Sequence, residues 1–182
     1  VNGSALTIRA IEPGELASFF AYLDDHLRDN GRNGTALFQP MSRSDSRLPE
    51  DKRAAFSLGL ATPLDRPGWR RVWIALDAAG SIAGHVDLRA RPEAAAAHRA
   101  LLGMGVHRDW RRQGVGSRLI ETAIAWGRTE AGLGWIDLEV LSANEPAVAL
   151  YLRHGFGKIG EYRQMFRIDG ATLDYTLMAL AL

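Results

Sequence analysis

The sequence predicts a single α/β domain, and three observations carry that prediction. A length of 182 residues, with 47% apolar and 24% charged residues, suits one globular unit (1–182) with its own core. Segments with the alternation of strands interleave with segments whose apolar residues recur at helical spacing. Short turns rich in small residues and glycine join neighbouring strand segments, with no internal repeat and no low-complexity stretch.

In chain order, Leu6 to Ile11 reads as a short strand. Pro13-Gly14 opens an amphipathic helix that places Leu16, Phe19, Phe20, Leu23 and Leu27 at helical spacing and fades near Arg28. Asp29 to Ser46 is rich in Gly, Asn, Arg and Ser, a long irregular segment of the kind that often serves function. Pro49 starts a helix reaching Leu60. Arg71 to Leu76 and Ser81 to Leu88 form a hairpin around Asp77-Ala78-Ala79-Gly80. Glu93 to Ala97 is compatible with a helical turn or a loop, and Ala100 to Val106 is an apolar strand.

The next helix runs from Gly114 to about Thr129, with Val115, Leu119, Ile120, Ala123, Ile124 and Trp126 largely on one side. A strand follows at Trp135 to Val140 and a helix at Pro146 to His154, closed by Gly155 at a left-handed terminus. Strands at Lys158 to Ile168 and Thr172 to Leu180 finish the chain, joined at Asp169-Gly170.

Composition narrows the chemistry. The absence of cysteine removes disulfides, thiolate metal sites and cysteine nucleophiles. No pair among the five histidines has metal-ligand spacing with a supporting carboxylate, so no metal is expected; solvated faces explain Asp24, Asp25 and Glu145 as well as a cation would. A net charge of +1 gives no field that steers the chain to nucleic acid, and no basic stripe interleaves with the tryptophans and phenylalanines. No apolar run approaches the ~20 residues of a membrane span, and Val1-Asn2-Gly3-Ser4 lacks a signal pattern. A cytoplasmic protein is the default expectation.

The most informative segment is Arg111-Arg112-Gln113-Gly114-Val115-Gly116-Ser117, between a strand ending at Val106 and a helix beginning at Gly114. Unpaired amides at a helix N-terminus, the helix dipole and nearby arginines make an anion site there, and Gly114 and Gly116 admit a phosphate close to the backbone. No Lys-Ser/Thr pair follows the glycines, which argues against a P-loop nucleotidase. Leu119 stands where a dinucleotide fingerprint needs a third small residue.

With Trp110 before it, Arg111-x-x-Gly114-x-Gly116 resembles the acyl-CoA pyrophosphate loop of the GNAT N-acetyltransferase superfamily. Downstream, Leu138-Glu139-Val140-Leu141-Ser142-Ala143-Asn144, Ala147, Leu150-Tyr151 and Gly155-Phe156 resemble its second block. The resemblance covers about Ala100 to Phe156 and is nearest to the ribosomal-protein N-acetyltransferase branch. It implies a mixed, mostly antiparallel sheet of about six to seven strands flanked by about four helices, opened near the Met104 and Asp137 strands so that acetyl-CoA wedges between them.

It further implies acetyl transfer to the amine of a small molecule or peptide by direct attack in a ternary complex, without a covalent enzyme intermediate. A homodimer is implied by resemblance alone. Tyr151 corresponds to the family's general acid, and a phenol stays protonated at neutral pH; the alternative is a packed core tyrosine. Glu139, opposite in facing to Ile136, Leu138 and Val140, corresponds to a general base, which burial must raise to work near neutrality; the alternatives are a salt-bridged strand residue and deprotonation relayed by water. Met104, Gly105 and Val106, in the strand from Gly103, offer main-chain groups to the pantetheine arm. Arg111, Arg112, Gln113, Gly114, Val115, Gly116 and Ser117 hold the pyrophosphate. Asn144 contacts pantetheine or caps its helix, with Ser142-x-x-Glu145 as a capping box. His107 and His85 are either ligand contacts or ordinary histidines. A noncatalytic acyl-CoA-binding domain is the rival reading.

Overall fold

The computed structural model describes residues 6–182, so the reading of Val1 to Ser4 lies outside the described residues. Seven strands form one mixed sheet in the order β1-β2-β3-β4-β5-β7-β6. They are β1 (Thr7–Ala10), β2 (Arg70–Leu76), β3 (Ile82–Ala90), β4 (Arg99–Val106), β5 (Trp135–Leu141), β6 (Gly157–Ile168) and β7 (Ala171–Ala181). Every neighbouring pair is antiparallel except β4 with β5. Four helices accompany them: α1 (Leu16–Leu27), α2 (Glu50–Ala61), α3 (Val115–Thr129) and α4 (Glu145–Arg153).

Punctuation in the sequence sets most of the boundaries. Pro13-Gly14 begins a short 3-10 turn that feeds α1 rather than α1 itself. Pro49 is the N-cap of α2, and Ala94–Ala96 is a single 3-10 turn. Gly114 caps α3 with φ +80°, Gly155 follows α4 with φ +87°, and Asp169 and Gly170 turn the last hairpin with φ +50° and +79°. Those backbone conformations cost the three glycines little, and aspartate is among the few other residues that tolerate the left-handed region in such a turn. The Ser142-Glu145 capping box does not form. Asn144 is the N-cap without a side-chain cap bond, and the Ser142 hydroxyl instead meets Thr176 Oγ1 at 2.8 Å. Ser142 sits where its backbone amide still bonds across to Asp174, too early to cap the helix.

Register divides the sheet into two faces. On one, Trp73, Val86, Leu88, Leu102, Ile136 and Leu138 pack with Leu119, Ile120 and Ala123 of α3 and Tyr151 of α4. On the other, Val72 and Ile74 pack with Phe19, Tyr22 and Leu23 of α1 and Phe56 of α2. We call these the helix α3 face and the helix α1 face.

Phe19 is wholly buried and meets Phe20, Tyr22, Phe56 and His85, so it anchors α1 to the sheet. Phe19→Ala is expected to lower unfolding free energy by about 3–5 kcal/mol, as measured by urea denaturation. A loss under about 1 kcal/mol would show that α1 does not depend on this anchor.

Candidate active site

The parallel pairing of β4 with β5 covers three residue pairs, Arg99 with Trp135, Ala100 with Ile136 and Leu101 with Asp137. Beyond them β4 continues to Val106 and β5 to Leu141, each still paired on its outer side, with β3 and β7 respectively. Their inner edges therefore diverge, leaving backbone N–H and C=O groups of two strands facing a gap. Asp137 fastens the closed end: Arg99 bonds its carboxylate through Nε at 2.9 Å and also through Nη2, and Arg91 reaches it at 3.0 Å.

At the open end of β4 stands the N-terminus of α3. Its first intrahelical bond runs from the Arg118 amide to the Gly114 carbonyl, so the amides of Val115, Gly116 and Ser117 have no helical acceptor. Gly114 has no heavy atom within 4 Å of where a β-carbon would lie. The two glycines differ here. A β-carbon on Gly116 would come within 3.0 Å of Leu150 and 3.4 Å of Met104, so Gly116 serves the close approach of α3 to α4 and β4.

The arginines also divide. Arg112 is exposed with φ +60°. Arg111 turns inward, bonding the Val106 carbonyl, Thr35 Oγ1 and Asp29 Oδ2. It ties the turn before α3 to the segment after α1. Gln113 is likewise occupied, donating to the Asp109 carbonyl at 2.7 Å. His107 pairs with Asp25 at 3.1 Å and accepts from the Asp109 amide, a structural histidine at the strand end. Asp24 and Asp25 are engaged by Arg53 and Arg108. Among the described residues no group of three His, Asp or Glu side chains could hold a metal ion.

Tyr151 and Glu139 lie on opposite sides of the sheet. Tyr151 is buried on the α3 face, its ring edge-on to Phe156. Burial pushes its phenol well above the ordinary range. Its hydroxyl makes no hydrogen bond among the described residues, yet the sealed unpartnered polar atoms are His26 Nδ1 and Arg70 Nη1 alone. The hydroxyl therefore reaches open space. Glu139, on the α1 face, is exposed. The burial that would raise its carboxyl, as the sequence expectation of a general base requires, is absent. It lines a cleft of about 310 Å³ with Arg91, Arg99, Asp137, Tyr162 and Leu177. A larger hollow of about 700 Å³, lined by Met41, Arg47, Pro49 and Arg53, contains none of the sequence-predicted site residues.

Sequence reasoning weighed His85 alone and missed the set of polar residues on β3 and α1 to which it belongs. His85, Asp87 and Arg89 share the α1 face with Gly105, Gly103 and Leu101 of β4, their register partners. A β-carbon on Gly105 would fall 2.6 Å from His26 Nε2 and 2.9 Å from His85 Cε1. One on Gly103 would fall 2.6 Å from Asp87 Oδ1. The bare strand thus lets these groups lean over its backbone beside the gap. Tyr22 donates to the Gly105 carbonyl and lies 3.1 Å from His85 Nδ1. Burial lowers both His26 and His85 to about 3, so both are neutral. The signal available was three polar residues at alternate positions of a strand whose other face is apolar.

The segment after α1 closes the open end. The wholly buried Asn30 side chain bonds Phe38, Gln39 and Ser46 and folds the segment on itself. Leu37 packs on Leu141 and Ile168, while Ser42 and Arg43 bond Asp169 at the tip of the β6–β7 hairpin. The loop spans from Arg111 on one side of the gap to Asp169 on the other.

A mixed sheet parted between two parallel strands beside a helix N-terminus defines the class of fold, and comparison with known proteins gives it a family. Residues 37–156 match the model of the acetyltransferase (GNAT) family, and the chain belongs to that family. It is 30% identical over 117 residues to the L-amino acid N-acetyltransferase AaaT of Escherichia coli, covering 63% of this chain and 70% of that protein. It is 26% identical over 118 residues to the N-alpha-acetyltransferase RimI of Mycobacterium tuberculosis, covering 65% and 68%. A GNAT-family acetyltransferase from Streptococcus pneumoniae superposes with a TM-score of 0.79 at 26% identity, covering 98% and 100% of the two chains. YncA from Salmonella typhimurium, solved with its cofactor acetyl-CoA, superposes at 0.76 and 18% identity, covering 98% and 94%. No helix among the described residues is long and apolar enough to cross a membrane.

Two predictions follow from the polar cluster beneath β4. Gly105→Ala should cost about 1–3 kcal/mol of stability through its clash with His26 and His85, whereas Gly14→Ala, with open space around it, should cost under about 0.5 kcal/mol in the same denaturation assay. The two histidines are held neutral in the fold and protonate near 6.5 once unfolded. Their contribution is therefore complete above that value and lost as pH falls toward about 3. Stability should drop with acid by up to about 1.4 kcal/mol per pH unit for each histidine, and His26→Phe should flatten the slope. An unchanged slope in that variant would remove His26 from the account.

Proposed function

We propose that the protein transfers an acetyl group from acetyl-CoA to the amine of a small molecule or peptide, by direct attack with both substrates bound. The observation that carries this reading is the gap between β4 and β5, with a helix N-terminus at its mouth and, on the α3 face, the buried Tyr151 whose hydroxyl makes no hydrogen bond among the described residues. The unpaired edge of β4 from Leu102 to Val106 suits an amide-bearing chain laid alongside it as an extra strand. The free amides of Val115 to Ser117, the open space at Gly114 and the Arg112 guanidinium suit a pyrophosphate. Asn144, half-buried at the start of α4, stands where a pantetheine contact would fall.

Acetyl-CoA supplies the activated thioester. The protein's task is to move protons and exclude water. An ammonium has no lone pair, so the acceptor must lose a proton before the N–C bond forms. Glu139, beside the cleft, accepts that proton directly or through water. As the C–S bond breaks, Tyr151, whose raised phenol is fully protonated, donates a proton to the departing sulfur, and the second proton shed by the acylated nitrogen restores the phenol through solvent. Among compartments, the cytoplasm offers the coenzyme this reaction consumes.

In a thermal-shift assay, acetyl-CoA and CoA should each raise the melting temperature and ATP or NAD should not, because a ligand that binds the native state stabilises it by mass action. Tyr151→Phe should lower kcat by about 10²-fold or more while KM for acetyl-CoA stays within about twofold. Turnover unaffected by that change would remove Tyr151 as the acid; coenzyme binding without turnover on any amine would favour a binding domain.

A further inference from the structure

Asp87 is buried on the α1 face, and two guanidinium groups share its single carboxylate. Arg70 Nε lies 3.4 Å from it and Arg89 Nη1 3.2 Å. Two cations against one anion leave the cluster with an excess positive charge. Arg70 is committed to the interior, stacked 3.9 Å over Phe56 with its Nη1 sealed. Arg89 is open. Its side chain is 35% exposed, and only Nη1 is bonded, leaving Nε and Nη2 without an acceptor among the described residues. The other two arginines near the cleft, Arg91 and Arg99, are both engaged by Asp137.

The open guanidinium sits beside the gap. A β-carbon on Gly103 would lie 3.2 Å from Arg89 Nη1, so the group leans over bare β4 backbone. Glu139 belongs to the same face on the strand across the gap. The Tyr175 hydroxyl, pushed up to about 12 chiefly by burial, is raised further by Glu139 and lowered by Arg89, so both charged groups act on it. The gap is thus flanked by a carboxylate on β5 and an underused cation on β3.

An amine and a carboxylate borne on the same carbon complement that pair. We propose that the acceptor is a free α-amino acid, its carboxylate held by Arg89 and its amine turned to Glu139 and the gap. This rests on the acetyltransferase reading above. A peptide N-terminus offers a neutral amide where the amino acid has its carboxylate, and so forfeits the charge-assisted bonds. A site built around such bonds rejects the analogue that lacks them.

The test compares the common free L-amino acids with their amides as acceptors, by thiol release, for the wild-type protein, Arg89→Gln and Arg89→Lys. The wild type should acetylate at least one free amino acid with kcat/KM about a hundredfold above that of its amide. Arg89→Gln should raise KM for that amino acid by about tenfold or more and leave the amide within about twofold, with Arg89→Lys between them. Acetyl-CoA thermal shifts on all three proteins monitor the coenzyme site separately. Equal use of acid and amide, an equal loss on both in Arg89→Gln, or acetyl-CoA stabilisation without turnover of any free amino acid overturns the amino-acid assignment and leaves the coenzyme reading standing. Absence of both stabilisation and turnover overturns the acetyltransferase reading itself.

Discussion

The rest of the site depends on one interrupted set of hydrogen bonds, the parallel pairing of β4 with β5 that ends at Leu101 and Asp137. A continuous ladder would satisfy those backbone groups and leave no seat for a ligand. An interrupted one leaves two strand edges in want of partners, ordinarily a liability. The break is stable because each strand is fully paired on its outer side and because Asp137, gripped by Arg99 and Arg91, pins the closed end. The segment after α1, fastened at Arg111 and Asp169, covers the open end.

From that break the two faces acquire different work. The α3 face presents helix N-terminal amides, Gly116 in close contact with α4, and the Tyr151 hydroxyl, which suits a phosphate-bearing coenzyme and a proton donor. The α1 face presents His26, His85, Asp87, Arg89 and Glu139, which suits a polar acceptor. Gly103 and Gly105 connect them. Lacking side chains, they let groups from β3 and α1 stand directly above the β4 backbone beside the gap.

The fold was largely legible from local chemistry. Asp169-Gly170, Gly155, Gly114 and Pro49 act through their own backbone preferences, which need no distant partner. Glu139 was legible in its facing, since alternation along β5 puts Ile136, Leu138 and Val140 inside and Glu139 out. Its exposure was not, because burial depends on what α1, α2 and the final hairpin cover. The inward turn of Arg111 was hidden for the same reason: its partners Asp29 and Thr35 come from a segment far away in sequence. Asp87 and Arg89 acquire meaning only through register with Gly103 and Leu101, and register is set by the whole sheet.

Backbone amide hydrogen exchange across β4, with and without acetyl-CoA, tests the central claim most directly. The account predicts that amides between Leu102 and Val106 that face the gap, together with those of Val115 to Ser117, exchange more slowly when the coenzyme is bound. Protection confined to other strands, with these amides unchanged at saturating acetyl-CoA, would contradict it.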